Sequence, residues 1–411
     1  MGSARPAGRV FSPLDEALGL VPGELGPRVL EGAVRLAARM PFAQAAAELE
    51  FFWGVAVSAE TVRRASEAAG AAAVAVEAAE TARLARDLPA PPQGPALQQV
   101  SVDGAMVPLR HGAWAEVKTM VIGTVATVEG EDGPVVRTTD LSYFSRMAEA
   151  ADFIQAARAE VHRRGVQTAG TVTAVQDGAP WTQGVVDAYR RDAVRILDFP
   201  HAVEHLGTAA QAAMGADPPA CREWLDKQAH ALEHEALDPV LAALRALPTE
   251  AAAAPEAAAK ARDAALAYLE ARRDEVRYAE FQAKGYPIAS GAVESAGKLV
   301  VEARLKGSGM HWTPDHVNPM VALRTTLCSH RWDAVWPALL QHQRDQHHER
   351  RRRYWLRRHP PAAPPNSPPA PPKPPVHLSQ AAARLRDRQP PTIVDGRPTS
   401  DHPWRRYAKA G

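Results

Sequence analysis

The chain is short of cysteine, of net charge and of long apolar runs, and each shortage excludes something. Its two cysteines, Cys221 and Cys328, are far apart. That spacing rules out a disulfide framework and a zinc ribbon, and it fits a reducing cytoplasm. A net charge of +1 does not advertise a nucleic-acid binder, so any affinity for DNA must come from local clusters of charge. No run of about 18 apolar residues occurs, which excludes a membrane-spanning helix. Nor does an early apolar stretch follow basic residues and precede a cleavage site, so export is not expected.

What is present is ordinary for a soluble globular protein. Hydrophobic residues make up 46% and charged residues 23% of 411 residues, enough for two or three domains. The 36 prolines are unevenly spread and suggest the layout. Met1 to Gly8 has no structural pattern. From Leu14 to about Ala82 the apolar spacing is helical, with Leu18, Leu30, Ala33, Leu36 and Ala37 as an early stripe. Within this region Ala43 to Phe52 reads as one helix and Trp53 to Val57 as a turn. Ser58 then caps a second helix, Ala59 to Ala68, which presents Arg63 and Arg64. Helix, glycine turn and basic helix outline a helix-turn-helix, although any packed helix pair has the same outline. Pro89-Ala90-Pro91-Pro92 marks a linker within Leu88 to Pro95.

The character then changes. Gln99 to Met106, Val117 to Val128 and Pro134 to Leu141 are rich in valine and threonine and read as strands. A helix over Ala148 to Arg164 follows, then a strand over Thr171 to Gln176. A helix over Trp181 to Arg191 and a strand over Val194 to Phe199 complete the series. That order predicts an α/β ribonuclease H-like catalytic core. From Ala202 to about Phe281 the strand signals vanish, so an all-helical insertion is expected. Helices resume over Ala292 to Ala303 and His316 to His347. Arg350 to Arg358 is basic and carries Tyr354 and Trp355; a proline-rich spacer, Pro360 to Pro375, follows. The expected domains are 1–90, an N-terminal helical domain; 96–201, the first part of the core; 202–285, the insertion; 286–347, the second part; and 348–411, a basic, proline-rich tail.

Three carboxylates stand where a two-metal site needs them. Asp103 lies in the first strand and Asp177 ends the fourth, each followed by a glycine that leaves room around the acid. Glu294 sits in the first turn of the helix after Tyr286-Pro287, with Lys298 one turn on. Hard divalent cations prefer carboxylate oxygens, and two of them about 4 Å apart clamp an in-line phosphoryl transfer. Turn aspartates and a routine Glu-Lys pair are the plainer alternatives. Arg304, Lys306 and the glycines around them form a basic segment suited to a phosphate backbone. Asp198 and His201 end the fifth strand, with His205 four residues on. They read either as a metal cluster or, better, as a border of the active site where an imidazole serves a phosphate oxygen or a proton. Trp181, after Asp177, falls near the same place. His230 and His234 read as helix-surface residues.

Val175 to Trp181, Asp198 to His201, Ile288 to Lys298 and Arg304 to Trp312 together resemble the ISKra family of bacterial insertion-sequence transposases. The segments from Pro13-Leu14-Asp15 to Gly70 and His402 to Arg405 resemble it too. The most specific piece is Gly291-Ala292-Val293-Glu294-Ser295 followed by Arg304 to Trp312. The resemblance implies a ribonuclease H-like domain interrupted by a helical insertion, with Asp103, Asp177 and Glu294 as catalytic metal ligands. It implies two Mg2+ ions, replaceable by Mn2+, and places Asp198 and His201 near the scissile phosphate. It implies DNA as partner, both transposon ends and target, bound by a homodimer or higher oligomer in the bacterial cytoplasm. Lys298, Arg304 and Lys306 are then the backbone contacts, and Arg63 and Arg64 the contacts that choose sequence. Relatives often carry cysteine pairs ahead of the segment matching Pro13-Leu14-Asp15, and this chain has none there, as a truncated copy or a late start would. Two other readings stay open: a relic that only binds DNA, and a ribonuclease H-like recombination nuclease.

Overall fold

Three long antiparallel strands begin the sheet, and their valine and threonine content explains why they form. They are β1 (Leu97–Pro108), β2 (Trp114–Gly130) and β3 (Gly133–Arg146). Branched side chains suit a pleated surface packed on both faces. In β1 the alternation is plain: Val100 and Val102 join a core with Phe153, Val161 and Val185. Val107 joins another, with Val293, Val300 and Val321. The computed structural model describes residues 25–130, 133–215, 219–359, 393–394 and 397–398. Met1 to Gly8, Pro13-Leu14-Asp15, Leu18, the spacer from Pro360 to Pro375 and the stretch His402 to Arg406 lie outside the described residues.

Helix α4 (Ala150–Arg163) leads to β4 (Thr171–Gln176), and α5 (Pro180–Tyr189) to β5 (Val194–Leu197). The sheet order is β3-β2-β1-β4-β5. β1, β2 and β3 pair antiparallel, whereas β4 pairs parallel with both β1 and β5. The protein is therefore an α/β fold on a mixed five-stranded sheet. The parallel pairs put the ends of β4 and β5 side by side, where acids following each strand come together.

The helical block is α6 (Phe199–Met214), α7 (Pro219–His234), α8 (Leu237–Arg245), α9 (Pro255–Ala271) and α10 (Tyr278–Ala283). Its leucines share one core with Val175, Ile196 and Leu197, so the block is packed on the sheet. The chain returns through α11 (Gly291–Ala296), a π-helical turn (Gly297–Glu302) and the short α12 (Ala303–Leu305). A π turn shifts the phase of a helix and is common at functional sites.

Two further helices, α13 (Pro314–Cys328) and α14 (Trp332–Arg358), replace the single helical segment predicted from His316 to His347. At the other end stand α1 (Pro27–Ala37), α2 (Phe42–Trp53) and α3 (Ala59–Asp87). Ser58 caps α3 as expected, its hydroxyl accepting from the Thr61 N–H at 3.1 Å. The helix, however, runs well past Ala68. The N-terminal helices share a small core among themselves, with Ala33, Ala45, Leu49 and Val62, while Leu30, Val34, Ala69 and Ala73 join a larger one with Leu323, Trp332 and Trp336. The described residues up to Arg352 form one compact unit. A second unit, Arg353–Gly411, holds the last residues of α14 and a ribbon of β6 (Ile393–Val394) and β7 (Arg397–Pro398). Among the described residues no helix is long and apolar enough to cross a membrane.

Candidate active site

Asp103 sits in β1 opposite Thr119 of β2. Alternation puts its side chain on the face of Ala105 and Val107, which is also the face of α11. One carboxylate oxygen accepts the Gly104 N–H at 2.7 Å. Burial nevertheless holds this carboxyl above the usual range; the charge of Asp177 raises it further, while His201 pulls it down. Burial penalises the charged form, and a second anion close by adds to that penalty. The two predicted acids are therefore brought within electrostatic reach of one another.

Asp177 is the first residue beyond β4. Its Oδ1 accepts the Ala179 N–H at 2.9 Å, in the turn that starts α5. Gly178 follows with φ +80°, a left-handed conformation that a side chain would strain. The carbonyls of this turn are held by α9: the Tyr268 hydroxyl donates to the Asp177 carbonyl at 2.5 Å, and Arg272 to the Gly178 carbonyl at 2.8 Å.

Asp198 is buried and links two segments. Its N–H donates to the Gln176 carbonyl at 2.8 Å, and its Oδ1 accepts the Ser290 N–H at 2.5 Å. It thereby fixes the start of α11, the helix that carries Glu294. Burial raises the Asp198 carboxyl, and the Ser290 bond opposes the shift. His201, in the first turn of α6, has Nε2 at 3.8 Å from Asp198 and Nδ1 at 3.4 Å from Glu204. Asp103, Asp198 and Glu294 all feel the His201 charge, so this imidazole is their common neighbour.

Glu294 is exposed, and its Oε1 accepts from Lys298 at 2.5 Å, which holds its carboxyl below the usual range. Among the described residues no three His, Cys, Asp or Glu side chains are gathered closely enough to hold a metal ion. The trio of Asp198, His201 and His205 is accordingly no metal cluster: the His205 ring stacks on Tyr268 at 3.7 Å. Asp103 and Asp177 suit a hard cation in donor chemistry, since a dication would relieve the repulsion between them. Glu294, paired with Lys298, is not gathered with them.

Other predicted residues lie elsewhere. Trp181 packs edge-on to Phe153 at 6.2 Å and receives Lys118 over its ring at 5.2 Å. Both contacts are on the α4 side of the sheet, the face opposite the Asp103 side chain. Arg304 is buried, 2% exposed, with Nε donating to the Ala37 carbonyl at 2.7 Å and its guanidinium over Phe42 and Trp312. Burial pushes it down to about 10. It braces α1 and α2 against the core and is withdrawn from any phosphate, which corrects the expectation of a backbone contact. Lys306 pairs with Glu302 at 2.6 Å on the surface. Arg63 is bridged by Glu60 and Glu67, and Arg64 is the more exposed of the two. His230 and His234 lie on α7 with ring centres 4.6 Å apart.

Sequence reasoning missed Tyr268, Arg272 and Glu116. The first two lie at the end of α9, and their partners are 91 and 94 residues away. No local pattern could reveal them. Glu116 raises Asp103 from across the sheet, its carboxylate lying over Gly104. No protein-family model matches the chain. No curated protein matches it either.

Proposed function

We propose that the protein is a metal-dependent DNA transposase on a ribonuclease H-like core, cleaving and joining phosphodiesters at the ends of an insertion sequence. One observation carries the reading. Asp103 of β1 and Asp177, just beyond the neighbouring β4, are close enough for one to raise the other, with His201 beside them. The strand order and the helical block between β5 and α11 agree with that core.

Asp103 and Asp177 would hold the cation, and Glu294 would join them on release from Lys298. A bound Mg2+ supplies Lewis-acid stabilisation of the phosphodiester under attack. His201, half-exposed among the acids, takes or returns a proton at the reacting oxygens through Nε2. Lys298, freed from Glu294, turns its ammonium to the DNA backbone. Asp198 keeps α11 in register through Ser290 and touches no substrate. Arg63, Arg64 and Lys306 remain the surface cations of the DNA path. Two element ends must be cut together, so a homodimer or larger assembly on DNA is part of the proposal.

The test is strand cleavage of DNA carrying the sequences that flank the gene, with Mg2+ present and absent. Glu294→Gln keeps the shape and removes the ligand charge. Cleavage should fall roughly 100-fold or more, the scale of a lost transition-state group, while DNA binding persists. Binding without Mg2+-dependent cleavage by the wild type rejects the catalytic reading and favours a protein that only binds DNA.

A further inference from the structure

The Asp177 turn is held from outside its own sheet. β4 ends at Gln176, and the next two carbonyls are both taken by α9. Tyr268 donates its hydroxyl to the Asp177 carbonyl at 2.5 Å, and Arg272 Nη2 donates to the Gly178 carbonyl at 2.8 Å. Arg272 Nη1 also donates to the Tyr268 carbonyl at 3.1 Å, and its guanidinium lies 3.9 Å from the Tyr268 ring centre. His205 of α6 stacks on the same ring. The glycine is fitted to this arrangement, since a Cβ on Gly178 would stand 2.3 Å from Arg272 Nε.

We infer that Tyr268 and Arg272 are positioning residues through which the helical block sets the Asp177 carboxylate against Asp103 for cation binding. The inference rests on the two-aspartate reading of the site. The block is already packed on the sheet through an apolar core that includes Leu206, Leu232, Leu241 and Leu269. Two polar side chains aimed at consecutive carbonyls add little to that core. They fix the backbone from which one carboxylate projects, and pre-organised ligands bind a cation more tightly than mobile ones.

The experiment is Mn2+ binding to the full chain without DNA, followed by electron paramagnetic resonance, with the melting temperature recorded for each variant. Tyr268→Phe keeps the ring and its stacking but loses the bond to Asp177. Arg272→Lys keeps the charge and loses the fork. Each should weaken Mn2+ binding about three- to tenfold, the scale of one or two hydrogen bonds. Arg245→Gln, which breaks the exposed pair with Glu270 on the same α9, should leave it unchanged. Asp177→Asn is the reference for loss of the ligand itself. Unchanged Mn2+ affinity in both Tyr268→Phe and Arg272→Lys overturns the inference while the aspartate reading stands. Equal weakening in Arg245→Gln also overturns it, because the effect is then general loosening of the block. A wild type whose Mn2+ binding ignores Asp103→Asn and Asp177→Asn removes both readings. Should Tyr268→Phe fail to fold, Arg272→Lys decides alone.

Discussion

A carboxylate kept half-buried beside another acid is held there against its own preference. Burial and the Asp177 charge favour the protonated form of Asp103 in the fold, whereas the unfolded chain leaves it near its ordinary value. The folded group thus contributes its full stability below the unfolded value, and that contribution fades as the pH rises through the raised one. At neutral pH, without a cation, the charge works against the fold. Asp103→Asn should therefore stabilise the cation-free protein, by about 0.5–2 kcal/mol as at other strained functional sites, while abolishing Mn2+ binding. Melting curves from pH 4 to 8 check this: the gain should grow towards neutrality and shrink in acid. A variant less stable than wild type at pH 7 would contradict the account. Arg304 carries the opposite lesson. A basic, glycine-rich segment suggested a surface cation, but its burial rests on Phe42 and Ala37, both more than 260 residues earlier. No local reading finds such a partner. Arg304→Ala should cost about 2 kcal/mol or more through lost packing and an open carbonyl. The salt dependence of DNA binding should stay as in wild type, because no phosphate contact is lost.

Among the elements, legibility followed the strength of the boundary. The bounds of β4 are legible to the residue, because Gly170 precedes its run and Asp177-Gly178 ends it. The two aspartates were visible for the same reason, since an acid at the edge of an apolar strand stands out. For α3 the sequence predicts a helix only to Ala68, whereas it runs to Asp87. Its alanine run, with Gly70 inside, gives no clear period, so only packing decides where it stops. That packing is close: a Cβ on Gly70 would lie 2.3 Å from the Pro319 carbonyl oxygen of α13. Ala favours a helix over Gly by roughly 1 kcal/mol, yet here backbone stands in the way of its methyl. Overpacking of that kind costs about 1–3 kcal/mol. Gly70→Ala should thus lower stability in urea denaturation, and a rise would mean that α3 and α13 can separate at no cost.

At the scale of the molecule, the proline-rich stretch after Leu88 suggested a boundary between an N-terminal domain and the catalytic core. The stretch is docked instead. Gly94 N–H donates to Thr168 Oγ1 at 2.9 Å, and that hydroxyl donates to the Pro92 carbonyl at 2.5 Å. Proline composition marks where a helix must stop, but says nothing of whether the segment beyond finds partners. The same holds for α1 and α3, whose apolar faces meet Trp332, Trp336 and Leu327 late in the chain. Without α13 and α14 those faces would be open to water, and without α1 and α3 the stacked tryptophans, 5.4 Å apart, would be. Each half of this core is incomplete alone, so the halves should unfold together. Native-state hydrogen exchange tests this. The slowest amides of α3 and of β2 should share one opening free energy and one denaturant dependence, equal to those of global unfolding. Earlier exchange throughout α3, with β2 still protected, would show that the N-terminal helices open as a unit of their own.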